Sequence, residues 1–230
     1  GHLFVALSRG YRPGGVNQHP RLSAHNRPYH AETLWNAESG LHVATERGAA
    51  SLTLFHARRH DQQVELSSQQ DPGDPNSFVL LTANAGAGWN AGAELEASYR
   101  MARGLTLRTT AGWLLTHTDS YSFENAQGER LTLGDREAAH APSYTTRIGL
   151  DYEHRTGLLA RVTLSATDGF FYSDSHNNEA ATHQLLYASV GYQTSAWTVS
   201  LWGRNLLDER YTTRGFSFVL EPPAYNEKLY

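Results

Sequence analysis

Short turns and long polar excursions alternate strictly along this chain, and between them run stretches in which every second residue is apolar. The short turns are Glu46-Arg47-Gly48-Ala49, Met101-Ala102-Arg103-Gly104, His154-Arg155-Thr156-Gly157 and Gln193-Thr194-Ser195-Ala196. The long connections cover roughly 12–30, 62–83, 119–142 and 172–183. A two-residue repeat is the signature of a strand whose two faces meet different surroundings. An antiparallel meander that turns tightly at one rim and loops widely at the other is how transmembrane β-barrels are built. A soluble β-sandwich has no reason to segregate the two lengths.

Segment 89–99 carries the pattern most clearly. Trp89, Ala91, Ala93, Leu95, Ala97 and Tyr99 share one face, and Asn90, Gly92, Glu94, Glu96 and Ser98 share the other. An aromatic at each end of an apolar face fits the two girdles of a membrane strand. The same alternation marks 105–116, 144–153, 158–167 and 197–204, and less cleanly 2–11, 32–45 and 185–192. Segment 50–60 is ambiguous, because Leu52 and Leu54 disagree in parity with Phe55. The expected fold is therefore all-β: an antiparallel transmembrane β-barrel meander, of which this chain forms a partial barrel of about nine strands. Charged residues of the polar face (Glu94, Glu96, Arg108, Arg147, Asp151, Glu153 and Arg161) alternate in sign between neighbouring strands, which predicts cross-strand pairs in a lumen.

A mean hydropathy of -0.51 with 40% hydrophobic residues excludes helical spans, which need about 20 apolar residues in a row. It does not exclude a barrel, whose strands show lipid only alternate side chains. The 12 Tyr and 5 Trp suit interfacial girdles, and the absence of Cys suits an oxidising envelope. A net charge of -4, with the 19 Lys and Arg scattered, provides no basic field for nucleic acid.

No catalytic constellation is present: no Cys, no Gly-x-Ser-x-Gly, no His-Glu-x-x-His and no phosphate-binding glycine loop. The chain reads as neither an enzyme nor a cofactor binder. His19, His25 and His30 lie in one polar loop without ligand spacing, which predicts solvated side chains rather than a metal site. Asp71, Asp74 and Asn76, set between Pro72 and Pro75, read as turn formers and not as a calcium loop.

Four strings resemble the barrel of TonB-dependent outer-membrane receptors. They are Ser8-Arg9-Gly10-Tyr11-Arg12-Pro13-Gly14-Gly15-Val16-Asn17, Glu32-Thr33-Leu34-Trp35-Asn36-Ala37-Glu38-Ser39-Gly40-Leu41, Asn84-Ala85-Gly86 with Gly92-Ala93-Glu94-Leu95-Glu96, and Asn205-Leu206-Leu207-Asp208-Glu209-Arg210-Tyr211. The last is the most specific. Their order and separations across nearly the whole chain carry the resemblance. It implies a bacterial outer-membrane, multi-pass barrel of about 22 strands with a plugged lumen. Residues 1–230 would then be the C-terminal part of that barrel, with the plug domain and the closing strand outside the chain.

The resemblance further implies an active importer of a scarce solute, foremost a ferric siderophore. Its partners would be the TonB complex, reached through the plug, and outer-membrane lipid. Haem, cobalamin and glycan receptors remain open within the family, although Tyr11-Arg12-Pro13-Gly14 stands where haem receptors carry Phe-Arg-Ala-Pro. A passive porin is the alternative from a different transport class. Capture from dilute medium calls for groups that reach above the barrel. Tyr121, Phe123, Arg136, Phe171 and Tyr172 are the expected ligand-binding set. Aromatic faces add stacking area with few rotors to freeze, and Arg136 would offset negative charge on a ferric siderophore.

Overall fold

The computed structural model describes residues 1–71, 73–74, 77–124, 130–174, 177–216 and 228–229. Nine strands form one antiparallel sheet in chain order: β1 His2–Arg12, β2 Glu32–Thr45, β3 Gly48–His60, β4 Ala87–Ala102, β5 Leu105–Thr118, β6 Tyr144–Glu153, β7 Leu158–Thr167, β8 His183–Gln193 and β9 Thr198–Gly203. Eight of them run for 10–16 residues. At about 3.3 Å per residue that is ample to cross a bilayer's apolar layer on a slant, and well beyond the five or six residues usual in soluble sheets. Among the described residues no helix is long and apolar enough to cross a membrane.

Register decides what each face meets. Tyr99, Leu107, Leu150, Val162 and Ala188 fall in one cross-strand row, as do Leu52, Leu95 and Ala111. This apolar face stays open: Leu3, Val5 and Leu7 are 71–77% exposed, and Trp113, Leu115, Val199 and Leu201 are exposed too. A continuous apolar surface over nine strands has no place in water, and it is what a barrel wall presents to lipid.

The ambiguous third strand resolves through packing. Leu52 and Leu54 belong to the outer row, whereas Phe55 lies on the inner face over Gly92, where an added Cβ would come 2.6 Å from its ring. Phe4 covers Gly40 in the same manner. An aromatic ring laid over a glycine on the next strand restores contacts the glycine cannot make. The mixed parity of 50–60 is therefore a packing feature and not a break in the strand.

Two kinds of short turn join the strands at one rim. In the β2–β3 and β8–β9 turns a threonine hydroxyl caps the corner: Thr45 Oγ1 accepts from the amides of Arg47 and Gly48, and Thr194 Oγ1 from those of Ala196 and Trp197, all at 3.1–3.3 Å. The β4–β5 and β6–β7 turns use Gly104 and Gly157 at φ +78° and +99°. There the left-handed backbone brings each glycine carbonyl 2.8 Å from the amide of the following neighbour, Glu153 or Gln193.

At the other rim the long connections are not mere loops. Gln63–Gln69 pairs with Phe78–Asn84 and Tyr121–Glu124 pairs with Arg130–Leu133, each as an antiparallel hairpin. The buried core lies here and not between two sheets. It consists of Leu22, Val64, Leu66, Val79, Leu81, Ala85 and Tyr121, with Ala83 and Leu133 packed against it. The expectation of polar excursions at 62–83 and 119–142 is corrected accordingly. Val64-Glu65-Leu66 and Val79-Leu80-Leu81 supply the apolar sides of a hairpin that folds onto its neighbours.

Candidate functional site

Side-chain amides fasten the long-loop rim into one layer. Asn17 Oδ1 accepts from the Thr82 amide at 2.9 Å while its Nδ2 donates to the carbonyls of Thr82 and Asn26 at 2.8 and 3.0 Å. Asn84 does the same for His30, accepting from its amide at 2.7 Å, and donates to the Asp61 carbonyl at 2.7 Å. Gln63 Nε2 bridges the carbonyls of Pro13 and His30 at 2.9 and 3.0 Å. An amide that both donates and accepts can mimic a strand edge, so three side chains join two loops that share no sheet. Asn17 and Asn84 sit in the strings that carried the family resemblance. Their roles, and that of Gln63, were not readable from spacing alone.

The third and fourth long loops are held by Arg136. Its Nη1 donates to Asn177 Oδ1 at 2.6 Å and its Nη2 to the Ser173 carbonyl. Its guanidinium lies 4.5 Å from the Phe171 ring centre, a cation–π contact. Backbone links run alongside, from the His140 amide to the Phe171 carbonyl at 2.9 Å and from the Ala139 amide to Asp174 Oδ1 at 3.1 Å. Of the expected ligand-binding set, Arg136 and Phe171 are thus brought together at a half-exposed position.

Tyr172 is only 4% exposed; its hydroxyl meets that of Thr212, and its ring edge meets Phe170 at 5.9 Å. It ties the fourth loop to the segment leading to Gly215, whose Cα its ring covers. Tyr121 is 7% exposed and forms part of the rim core. Phe123 pairs with Leu131 in backbone register. Four of the five therefore divide into a half-buried pair, Arg136 and Phe171, and two buried tyrosines that support it.

Tyr121 carries an unusual burden, because its hydroxyl is buried with no hydrogen-bond partner among the described residues. Burial first, and then the Asp174 carboxylate, push its pKa up to about 12 from 10.0, against a lowering by Arg136. The neutral phenol is the form the fold favours. Stability linked to it is complete below pH 10 and is lost as the pH rises through 10 to about 12, where the unfolded chain ionises first. Tyr121→Phe removes an unsatisfied group and should leave stability unchanged or raise it by about 1 kcal/mol. Absorbance at the tyrosinate band should lose one late titration near pH 12 in this variant, and a loss at the ordinary pH 10 would contradict the burial argument.

The inner wall forms a concavity of about 740 Å³ lined by Arg108, Arg147, Asp151, Arg161, Tyr187 and Arg204, among others. Asp151 is its organising charge, accepting from Arg108 Nε at 2.8 Å and from Arg161 on the opposite neighbour strand. The predicted cross-strand pairing holds for these three. Among the described residues Glu94, Glu96, Arg147 and Glu153 make no ion pair, so the expectation of general pairing is too broad. In register, Glu94, Glu96 and Arg147 stand opposite Thr, Gly or Ser, and Glu153 opposite Leu159.

The most specific string also finds a physical role. Asn205 Nδ2 donates to the Glu209 carbonyl at 2.9 Å and its Oδ1 accepts from the Glu209 amide at 3.0 Å. With Asn205 and Asp208 both at positive φ, this closes a tight loop after β9. Tyr211 at its end stacks on His183 at 4.3 Å, fixing the loop to the start of β8. Among the described residues no group of three or more His, Asp or Glu is placed to hold a metal ion. Asp71 and Asp74 form turns, Asp71 Oδ1 accepting from the Gly73 amide and the Asp74 carbonyl from Ser77. Asn76 lies outside the described residues.

A family profile described as TonB dependent receptor-like, beta-barrel, matches residues 2–206. The pesticin receptor of Yersinia pestis is 24% identical over 93% of the chain and 30% of its own length. The chain thus spans about a third of the curated relatives it matches. The ferric yersiniabactin uptake receptor FyuA from Yersinia pestis superposes with a TM-score of 0.72 at 21% identity, covering 93% of this chain and 31% of FyuA. The copper transporter OprC superposes at 0.67 with 17% identity, covering 91% of this chain and 32% of OprC. At such identities structural likeness speaks for the fold alone. Residues 2–206 nonetheless carry the family's pattern from the first wall strand to the Asn205 loop. The chain belongs to the TonB-dependent receptor-like β-barrel family, whose barrels reside in the outer membrane of Gram-negative bacteria.

Proposed function

We propose that this chain is the C-terminal part of the barrel wall of an active importer for a ferric siderophore, driven by the TonB complex through a plug domain contributed from outside the chain. The observation that carries this reading is the fastened rim. Asn17, Gln63, Asn84 and Arg136 hold the long loops in a fixed layer above a charged inner wall. A passive pore needs no such preorganised rim, whereas capture of a dilute solute gains affinity from loops that need no ordering on binding. FyuA, whose name states ferric yersiniabactin uptake, supports the choice of solute class.

Within this reading, Phe171 offers a stacking face and Arg136 a positive charge beside it. Tyr121, Phe123 and Tyr172 belong to the same proposed surface, the two tyrosines as its supports. Arg136→Gln with Phe171→Ala in the full-length receptor should weaken uptake of its iron-loaded siderophore at least tenfold at limiting concentration. The amount of folded receptor in the outer membrane should not change. Unchanged uptake across a panel of ferric siderophores, ferric yersiniabactin included, would remove this surface from the capture site.

Orientation follows from the rule that short turns face the periplasm and long loops face outside. A cysteine at Ser122, an exposed hairpin position, should react with an impermeant maleimide on intact cells. One at Arg47, in a short turn, should react only after the outer membrane is opened. Arg47 is the better probe than Gly48, where any side chain would come 2.1 Å from the Ser98 carbonyl. The reverse labelling would invert the barrel.

A further inference from the structure

Two histidines face each other across the first strand pair. His2 of β1 and His42 of β2 are partners in register, and their ring centres stand 5.1 Å apart with the planes 32° from parallel. Both share the parity of Phe4 and Gly40 and alternate with the outward Leu3 and Leu41, so they belong to the inner face. Neither imidazole makes a hydrogen bond or an ion pair among the described residues. His117, His154 and His183 differ in this respect, each being held by a carboxylate, a hydroxyl or a carbonyl.

The separation has a chemical meaning. A transition-metal ion holds an imidazole nitrogen at about 2.0–2.1 Å, which sets each ring centre about 3.2 Å from the ion, and two such rings at a tetrahedral angle stand about 5 Å apart. An antiparallel pair fixes the Cβ atoms of opposite residues about 4.5–5.5 Å apart, so both ligands are in place before an ion arrives. The sheet supplies the preorganisation that a loop would lack.

The wall beside the pair attracts cations. Three successive sets of in-register neighbours cross the inner face of β1–β4: His2, His42, Ser51 and Glu96; Phe4, Gly40, Thr53 and Glu94; Ala6, Glu38, Phe55 and Gly92. They hold three carboxylates and no Lys or Arg. Glu94 and Glu96 have no ion-pair partner among the described residues, and Glu38 accepts only from a neutral amide, Asn36 Nδ2 at 2.6 Å. The inner face of β5–β7 has the opposite character, with Arg108, Arg147 and Arg161 around the single Asp151. A divalent cation in the lumen is thus drawn to the β1–β4 side.

We propose that His2 and His42 form a cross-strand site for a divalent transition-metal ion on the inner wall. Imidazole suits Cu²⁺, Ni²⁺ and Zn²⁺, and Cu²⁺ binds most tightly in the usual order for nitrogen ligands. The two imidazoles are the protein's ligands, water fills the remaining positions, and Glu94 and Glu96 offset the ion's charge from across the sheet. With two protein ligands the site is open, unlike the four-ligand closure of a structural centre, and its ion stays exchangeable. This site is separate from the capture surface of Arg136 and Phe171 and does not rest on the import reading.

The test uses the full-length receptor, purified in detergent without a histidine tag and freed of metal, with Cu²⁺ as the probe. Electron paramagnetic resonance at equimolar Cu²⁺ should show splitting from two nitrogens. His42→Gln should weaken Cu²⁺ binding at least tenfold and leave splitting from one nitrogen at most, and His2→Gln should do the same. Either variant carries the reading should the other assemble poorly. His56→Gln, beside Trp89 on the outer face, should leave affinity and splitting intact. Glu96→Gln should weaken binding about twofold without changing the nitrogen count, as a charge acting at a distance does. Equal Cu²⁺ affinity in wild type and both inner-face histidine variants would overturn the proposal. So would a two-nitrogen signal that survives His2→Gln and His42→Gln, which would place the ion elsewhere in the receptor. Siderophore uptake plays no part in the readout, so the import reading and this one fail separately.

Discussion

Leu95→Arg lowers the stability of the bilayer-reconstituted barrel by about 2–4 kcal/mol, and Ser51→Arg, on a neighbouring strand but facing the lumen, changes it by less than about 1 kcal/mol. Leu95 stands midway between Trp89 and Tyr99 on β4, with Leu52 and Ala111 beside it in register. A guanidinium there is placed near the middle of the apolar band, too far from either headgroup layer to reach it without thinning the bilayer. Ser51 lies on the inner face directly opposite Glu96, which has no ion-pair partner among the described residues. An arginine at 51 gains a cross-strand carboxylate in a water-accessible setting. Urea unfolding of both variants in lipid vesicles measures the difference. Equal losses would mean that the outer face does not meet lipid.

Gly157→Val should be the most damaging change at the short-turn rim. Gly157 sits at φ +99°, and a Cβ there would lie 2.0 Å from the Gln193 carbonyl oxygen. A β-branched residue costs about 1–3 kcal/mol for the backbone conformation alone. The contact adds to this, because the obstructing atom is backbone and cannot rotate away. Relief requires moving the end of β8 and breaking the 2.8 Å hydrogen bond between the Gln193 amide and the Gly157 carbonyl. Gly10→Ala is the matched control, since a Cβ at Gly10 meets nothing within 4 Å. Heat-modifiable gel mobility of the assembled receptor should fall by several degrees for Gly157→Val and stay constant for Gly10→Ala. Identical mobilities would mean that the β6–β7 turn bears no strain.

The two substitutions probe opposite levels of one design. The lipid-facing band is tolerant of apolar exchange and intolerant of charge. The turn rim is indifferent to polarity and intolerant of a side chain where the backbone is left-handed. The long-loop rim differs from both. Its stability rests on amide clamps and a small buried core, so the proposed capture surface of Arg136 and Phe171 depends on residues that touch no solute. Tyr121 and Tyr172 are of this kind. Replacing them would disturb capture through the fold of the loops, which is why the uptake test is confined to Arg136 and Phe171.

The nine wall strands, their lipid-facing parity and the alternation of turn lengths were legible in the sequence. A strand repeats every two residues, and each face of a barrel wall meets a single medium along its whole length, so the medium is written directly into the pattern. Leu95 and Glu96 declare their faces without reference to any neighbour. Phe55 did not, because its placement depends on Gly92 of another strand, and a one-dimensional pattern does not record who lies opposite. The same reason explains why 62–83 and 119–142 read in the sequence as polar excursions. Their apolar residues are few and, among the described residues, are buried by one another and by Leu22 and Ala85. The amide clamps of Asn17, Gln63 and Asn84, the trio around Asp151, and the His2–His42 pair each join residues from different strands or loops. Sequence by itself determined the strands and the medium on each side of them. Register and loop packing, which exist only once the strands are side by side, decided which residues act together.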